Sequence, residues 1–155
     1  MGKLSTGADF FDTFLDGGYD SDVVTTLYGP SGSGKTNLCL LAAVKVAEQG
    51  KKVLFLDTEG GIAVERIRQL TINYESVLDK IMFLKPLSFQ QQIEIFENLR
   101  SLVTEEIGLI VVDSIAMLYR LALCGSDDIY NVNTALGRQI AFLVEMARSK
   151  SIPVL

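Results

Sequence analysis

Gly29-Pro30-Ser31-Gly32-Ser33-Gly34-Lys35-Thr36 sets three glycines, a lysine and a hydroxyl residue in the pattern G-x-x-x-x-G-K-[ST]. Glycines at these places let backbone N–H groups turn inward and close on phosphate oxygens. Lys35 then reaches the β and γ phosphates, and the Thr36 hydroxyl takes a place on Mg²⁺. Asn37 continues the loop as a further nucleotide contact. The chemistry is the binding of a nucleoside triphosphate with its magnesium.

Two more carboxylates fit that chemistry. The run Leu109-Ile110-Val111-Val112 ends in Asp113, where a parallel strand brings an acidic residue beside a phosphate loop to hold Mg²⁺ through water. Glu59 follows a second apolar run, Lys52 to Asp57. There it either orients and deprotonates the water that attacks the γ phosphate or is a solvated carboxylate at a strand end. Asp57 competes with it, since strand alternation points both the same way. Ser114 either supports the Asp113 site or caps the following helix.

The elements that must position these residues read as alternating strands and helices. Val23 to Tyr28 enters the phosphate loop as a buried strand, and a helix from about Gly34 to Gln49 leaves it, with Gly50 as its stop. Further strands are expected at residues 52–57, 81–84, 109–113 and from Ile152. Between them lie a helix over about 62–71 and one opened by a Ser88–Gln91 capping box. On that second helix Phe89, Ile93, Phe96, Leu99, Val103 and Ile107 keep helical spacing. Residues 120–131 lack a clean period and read as a loop, followed by a helix over about 132–149 with Leu136, Ile140, Leu143 and Ala147 inward. Near the N-terminus a short amphipathic helix points Phe10, Phe14 and Phe11 inward and ends at Gly17-Gly18. This alternation specifies an α/β fold, a mainly parallel sheet with helices on both faces, and ligands at the carboxyl edge.

Composition narrows the classes. The 155 residues suit one domain; Asp and Glu outnumber Lys and Arg by 19 to 14, for a net charge of −5. An acidic chain has no general attraction for nucleic acid, and only Arg120 and Arg138 are basic between residues 115 and 139. Tyr130 alone offers a stacking ring there, and a lone tyrosine before a helix is more often a packing residue. The absence of histidine excludes His triads and His metal sites. Cys39 and Cys124 belong to no motif, and Cys39 reads as a core residue. No apolar run approaches the ~18 residues of a membrane span, and no signal-peptide core opens the chain, which reads as cytoplasmic with no membrane partner.

With these motifs in place, the chain resembles the ATPase core of the RecA/RadA recombinase superfamily, most closely its archaeal RadB-like paralogues. The matching stretches are Ser5-Thr6-Gly7, Tyr28-Gly29-Pro30, Asp57-Thr58-Glu59-Gly60-Gly61, Glu65-Arg66-Ile67, Val112-Asp113-Ser114 and Ile152-Pro153-Val154. The resemblance implies a RecA-like P-loop NTPase. With the five core strands counted in chain order, it implies the sheet order 3-2-4-5-1. It makes Glu59 and Lys35 catalytic, stacks Arg66 on the adenine, and implies an ATP- and Mg-dependent ATPase serving DNA recombination and repair. Partners would be ATP or ADP, and a recombinase or further copies of the full-length protein.

Family members continue past the last strand into a sensor residue, a second DNA-binding loop and a segment capping the neighbour's ATP. The RadA branch also carries an N-terminal helix-hairpin-helix domain. Against that pattern residues 1–155 read as a single core, truncated after the fifth strand. Nucleotide binding is then expected to outlast hydrolysis, filament formation and DNA binding, with DNA contact weak or absent. The alternatives are a KaiC-like regulatory ATPase acting on proteins, which usually carries paired glutamates where this chain has Glu59-Gly60-Gly61, and a non-hydrolysing nucleotide-binding adaptor.

Overall fold

In the computed structural model, which describes residues 2–125 and 127–155, a small antiparallel pair precedes the main sheet. Strand β1 (Lys3–Leu4) pairs with β2 (Tyr19–Asp20), and helix α1 (Asp9–Phe14) lies between them. Gly18 makes that crossing possible: a Cβ there would lie 2.0 Å from the Leu4 carbonyl oxygen. The rotation of α1 is set by Asp12, whose carboxylate accepts from Ser5 Oγ at 2.6 Å and from both Thr6 N and Thr6 Oγ1 at 2.7 Å. With Asp12 turned inward, residues two positions away lie about 200° around the helix. Phe10 and Phe14 are therefore 70% and 77% exposed rather than inward, and only Phe11 is half-buried.

Helix α2 (Lys35–Glu48) buries Cys39, Leu40, Ala42, Ala43, Val44, Val46 and Ala47. It is followed by β3 (Lys52–Asp57), α3 (Val64–Leu70), α4 (Tyr74–Leu78), β4 (Ile81–Leu84), α5 (Phe89–Leu102) and β5 (Ile107–Asp113). Strand β3 is the centre, parallel to β4 on one side and to β5 on the other. Beyond β5, Val154 bridges in parallel to Ile110 and then to Val24. The spatial order thus runs β4, β3, β5, the 153–155 segment and the Val24 segment, the RecA-like order expected. The segment 23–28 is shorter as a strand than expected. Its ladder consists of Thr25 N to Val154 O at 2.8 Å and Val154 N to Val23 O at 3.4 Å, and Tyr28 is 92% exposed.

Alternation along β3 divides the core. Val53 and Phe55 pack with α2 on one face, while Leu54 and Leu56 pack with α5 and the last helix on the other. Both faces are covered, which is why β3 and β5 are almost uninterrupted apolar runs.

Helix α5 opens as the Ser88–Gln91 spacing predicts, with Gln91 N donating to Ser88 Oγ at 3.2 Å. The reciprocal bond runs from Leu87 N to Gln91 Oε1, one residue before the cap. Ile107 begins β5 instead of closing the helical face. The expected loop at 120–131 is mostly helix: α6 (Met117–Gly125) precedes α7 (Ile129–Lys150), and Ser126 falls outside the described residues. Helix-forming Met, Leu, Ala and Arg fill α6, but it is nine residues long and buries only Leu118, too short a stripe to show a period. Tyr119 holds it by an edge contact to Phe89 and a 2.8 Å bond to Asn133 Oδ1. On α7 the inward stripe is Gln139, Leu143, Met146 and Ala147; Ile140 is 46% exposed. Gln139 takes the buried place because its Oε1 accepts from Gln92 Nε2 at 2.7 Å, joining α5 to α7. No described helix is long and apolar enough to cross a membrane.

Candidate nucleotide site

The phosphate-loop pattern forms the turn between the Val24 segment and α2. Gly32 and Gly34 adopt φ of +78° and +91°, and neither has an atom within 4 Å of where a Cβ would stand. These left-handed residues turn the loop's backbone without a side chain over its mouth. Ser33 N donates to Pro30 O at 3.3 Å, closing the turn. Gly34 is the N-cap of α2 and supplies no capping side chain, so the N–H groups of the first turn keep the helix's positive end available to an anion.

Side chains from four separate elements meet at this loop. Lys35 Nζ donates to Gly29 O at 3.0 Å and to Pro30 O at 2.9 Å, so its ammonium lies across the loop it belongs to. Thr36 Oγ1 donates to Asp113 Oδ2 at 2.6 Å, tying the start of α2 to the end of β5. Arg66, on α3, is half-buried; its Nε donates to Asn37 Oδ1 at 2.9 Å and its Nη1 to Gln69 Oε1 at 2.7 Å. Glu59 is exposed on the turn after β3. A cavity of about 810 Å³ is lined by Ser31, Gly32, Lys35, Thr36, Asn37, Asp57, Glu59, Arg66 and Asp113, with Gly29 and Gly34 also on its wall. Every expected site residue except Pro30 and Ser33, which shape the turn, lines that one space.

Asp57 and Asp113 are Cα partners at the ends of adjacent parallel strands, 2% and 7% exposed. Asp57 Oδ1 accepts from Gly60 N at 2.8 Å, but Oδ2 is buried without a hydrogen-bond partner among the described residues. Thr58 fixes the neighbouring backbone, with its N donating to Asp113 O and its Oγ1 both accepting from Ser114 N and donating to Ser114 O, all at 2.8 Å. Ser114 Oγ accepts from Met117 N at 3.2 Å, which makes it the cap of α6. The sequence left Arg120 at the start of an expected loop; α6 instead carries it onto the cavity wall.

The donor set suits a hard divalent cation. Among the described residues no group of three His, Cys, Asp or Glu side chains makes a complete protein cage. A hydroxyl and two carboxylates, one with an orphaned buried oxygen, fit Mg²⁺, which binds through one or two carboxylates, water and substrate phosphates. Thr36 gives its proton to Asp113, leaving its oxygen lone pairs for a cation. Burial, with the charge of Asp113 nearby, pushes the Cys39 thiol under the loop's helix up to about 12, so it stays neutral.

A model of the Rad51 family matches residues 1–155. The DNA repair and recombination protein RadB of Methanococcus maripaludis strain C7 is 40% identical over 146 residues, covering 93% of this chain and 67% of its own. Its namesake from Methanococcoides burtonii is 37% identical over 153 residues, covering 98% and 68%. Among solved structures, the crystal structure of the RadB recombinase superposes with a TM-score of 0.81 at 36% identity, covering 97% of this chain and 67% of that one. The chain spans about two thirds of the length of these relatives.

Proposed function

The chain belongs to the Rad51 family, and from that premise we propose that it is the ATP- and Mg²⁺-binding core of a RadB-like DNA repair and recombination protein. The observation that carries the reading is the single cavity in which Lys35, Thr36, Glu59, Arg66 and Asp113 meet the glycine turn.

In this reading the loop amides and the N-terminus of α2 hold the phosphates. Lys35 leaves the Gly29 and Pro30 carbonyls and places its charge on the β and γ oxygens. Thr36 and Asp113, already joined at 2.6 Å, hold the metal side. Bound Mg²⁺ supplies neutralisation of the charge that builds on the phosphoryl oxygens. Arg66 stacks its planar guanidinium on the adenine, kept in one orientation by Asn37 and Gln69. Glu59, exposed on the cavity wall, takes the proton of the attacking water. The family match supports a recombination protein over the KaiC-like alternative, and turnover of ATP is what separates it from the non-hydrolysing adaptor.

Assembly with a recombinase or with further copies, and any contact with DNA, belong to the same proposal. Arg120 lies on the nucleotide cavity, which leaves this chain with weak DNA attraction. Calorimetric titration tests the central claim. MgADP and MgATP should bind with a micromolar Kd, about −8 kcal/mol, and Lys35→Ala should abolish the heat. No heat and no melting shift at millimolar nucleotide would sink the reading.

A further inference from the structure

We propose that Asp57 is a second metal-side carboxylate of this site: a positioning residue that accepts from the hydration shell of the nucleotide-bound divalent cation. The inference rests on the nucleotide-site reading above and adds to it a residue that the loop and Asp113 motifs do not include.

The geometry begins at the backbone. Asp57 and Asp113 close β3 and β5 as register partners, and parallel strands lie about 4.8 Å apart. Two carboxylates are thus held side by side at one sheet edge, both nearly buried and both on the wall of the nucleotide cavity. Asp113 has a partner in the Thr36 hydroxyl. Asp57 has one for Oδ1, the Gly60 amide at 2.8 Å, and none for Oδ2. A buried carboxylate oxygen left unpaired is costly, and adjacent like charges add to the cost. The lysine that could answer it, Lys35, donates to the Gly29 and Pro30 carbonyls.

A hydrated divalent cation answers both deficits. Mg²⁺ retains several waters when it binds beside phosphates, and each is a strong donor to a nearby carboxylate. Asp57 therefore acts at one remove from the metal, through water. Its Oδ1 bond to Gly60 N also holds the turn that carries Glu59, so a single carboxylate links the metal side to the exposed glutamate. Burial and this backbone tie make Asp57 a fixed anchor, and Glu59 keeps the proton-accepting role.

The test is the Mg²⁺ dependence of ADP affinity, measured calorimetrically on the full chain with Mg²⁺ and with EDTA, alongside Mn²⁺ titration by electron paramagnetic resonance in the presence of ADP. Asp57→Asn retains an amide oxygen for Gly60 N and removes the charge. It should bind ADP in EDTA like the parent chain but weaken cation affinity about 10- to 100-fold, as loss of an outer-shell partner does. Asp57→Glu, which keeps the charge but displaces it, should also lose affinity and serves if the Asn chain does not fold. A purely structural role would lower melting temperature and leave the Mg²⁺ gain intact in either folded variant, which would overturn the proposal. Absence of ADP binding by the parent chain would overturn the underlying reading, a separate and distinguishable result.

Discussion

Thr36 Oγ1 donates to Asp113 Oδ2 at 2.6 Å, across 77 residues of sequence. The bond joins the first turn of α2 to the last residue of β5 on the wall of the cavity, where the proposed metal would sit. Its proton is committed to Asp113, so toward the proposed cation the hydroxyl would act as an acceptor. Thr36→Val removes the oxygen at nearly constant volume and leaves the Asp113 oxygen without that donor. We expect ADP affinity in EDTA to be nearly unchanged and the gain on adding Mg²⁺ to fall by at least about tenfold, 1.4 kcal/mol. Thr36→Ser should retain the gain. Isothermal titration of the three chains checks the order.

Glu59 and Asp57 stand two residues apart with opposite burial, and this separates their roles. Glu59→Gln keeps shape and removes the carboxylate proposed as the base. Turnover of ATP should fall about 10²- to 10⁴-fold, the usual worth of a positioned general base. Nucleotide affinity should stay within about twofold of the parent value. Phosphate release together with a binding titration provides both readings, and equal turnover in the two chains would move the base elsewhere.

Much of this site could be read in the sequence because its parts are local. The glycine turn, the run ending in Asp113 and the strand before Glu59 each carry their own pattern, and parallel topology then delivers them to one edge. What stayed hidden depends on contacts between distant side chains. Phe10 and Phe14 face outward because Asp12 is claimed by Ser5 and Thr6. Gln139 displaces Ile140 from the inner stripe of α7 because Gln92 waits for it on α5. Helix α6 showed no period because it is nine residues long and buries only Leu118, and so Arg120 was missed as a cavity residue.

The Asp12 cluster gives the N-terminal unit an acid-sensitive lock. Hydrogen bonds from Ser5, and then from the Thr6 backbone and side chain, hold the Asp12 carboxyl below its ordinary value. A carboxylate whose pKa is depressed by folding contributes stability above the unfolded value, about 3.9, and loses it as pH falls through the folded value. The parent chain should therefore lose stability below about pH 4. Asp12→Ala takes the acceptor from the buried Thr6 N, while Thr6 Oγ1 keeps its bonds to Ala8, and should cost about 1–3 kcal/mol at neutral pH, with a flatter acid limb. Urea midpoints from pH 7 to pH 3 measure both.

The two cysteines report on whether α2 stays packed beneath the phosphate loop. Cys39 is buried on α2 with its thiol pushed up to about 12, first by burial and then by the charge of Asp113. Cys124 is exposed at the end of α6. Thiolate, not thiol, is the reactive form, so access and charge state both protect Cys39. At pH 8 a maleimide should modify one thiol per native chain, and Cys124→Ser should abolish that rapid reaction. The remaining cysteine should react on the order of 100-fold more slowly or only in denaturant. Should the nucleotide-site reading hold, ADP with Mg²⁺ should slow it further, because a ligand gripping the start of α2 stabilises the packed state by mass action. Labelling followed by mass spectrometry with and without nucleotide measures this, and rapid native modification of Cys39 would show that α2 does not stay closed over β3 and β5.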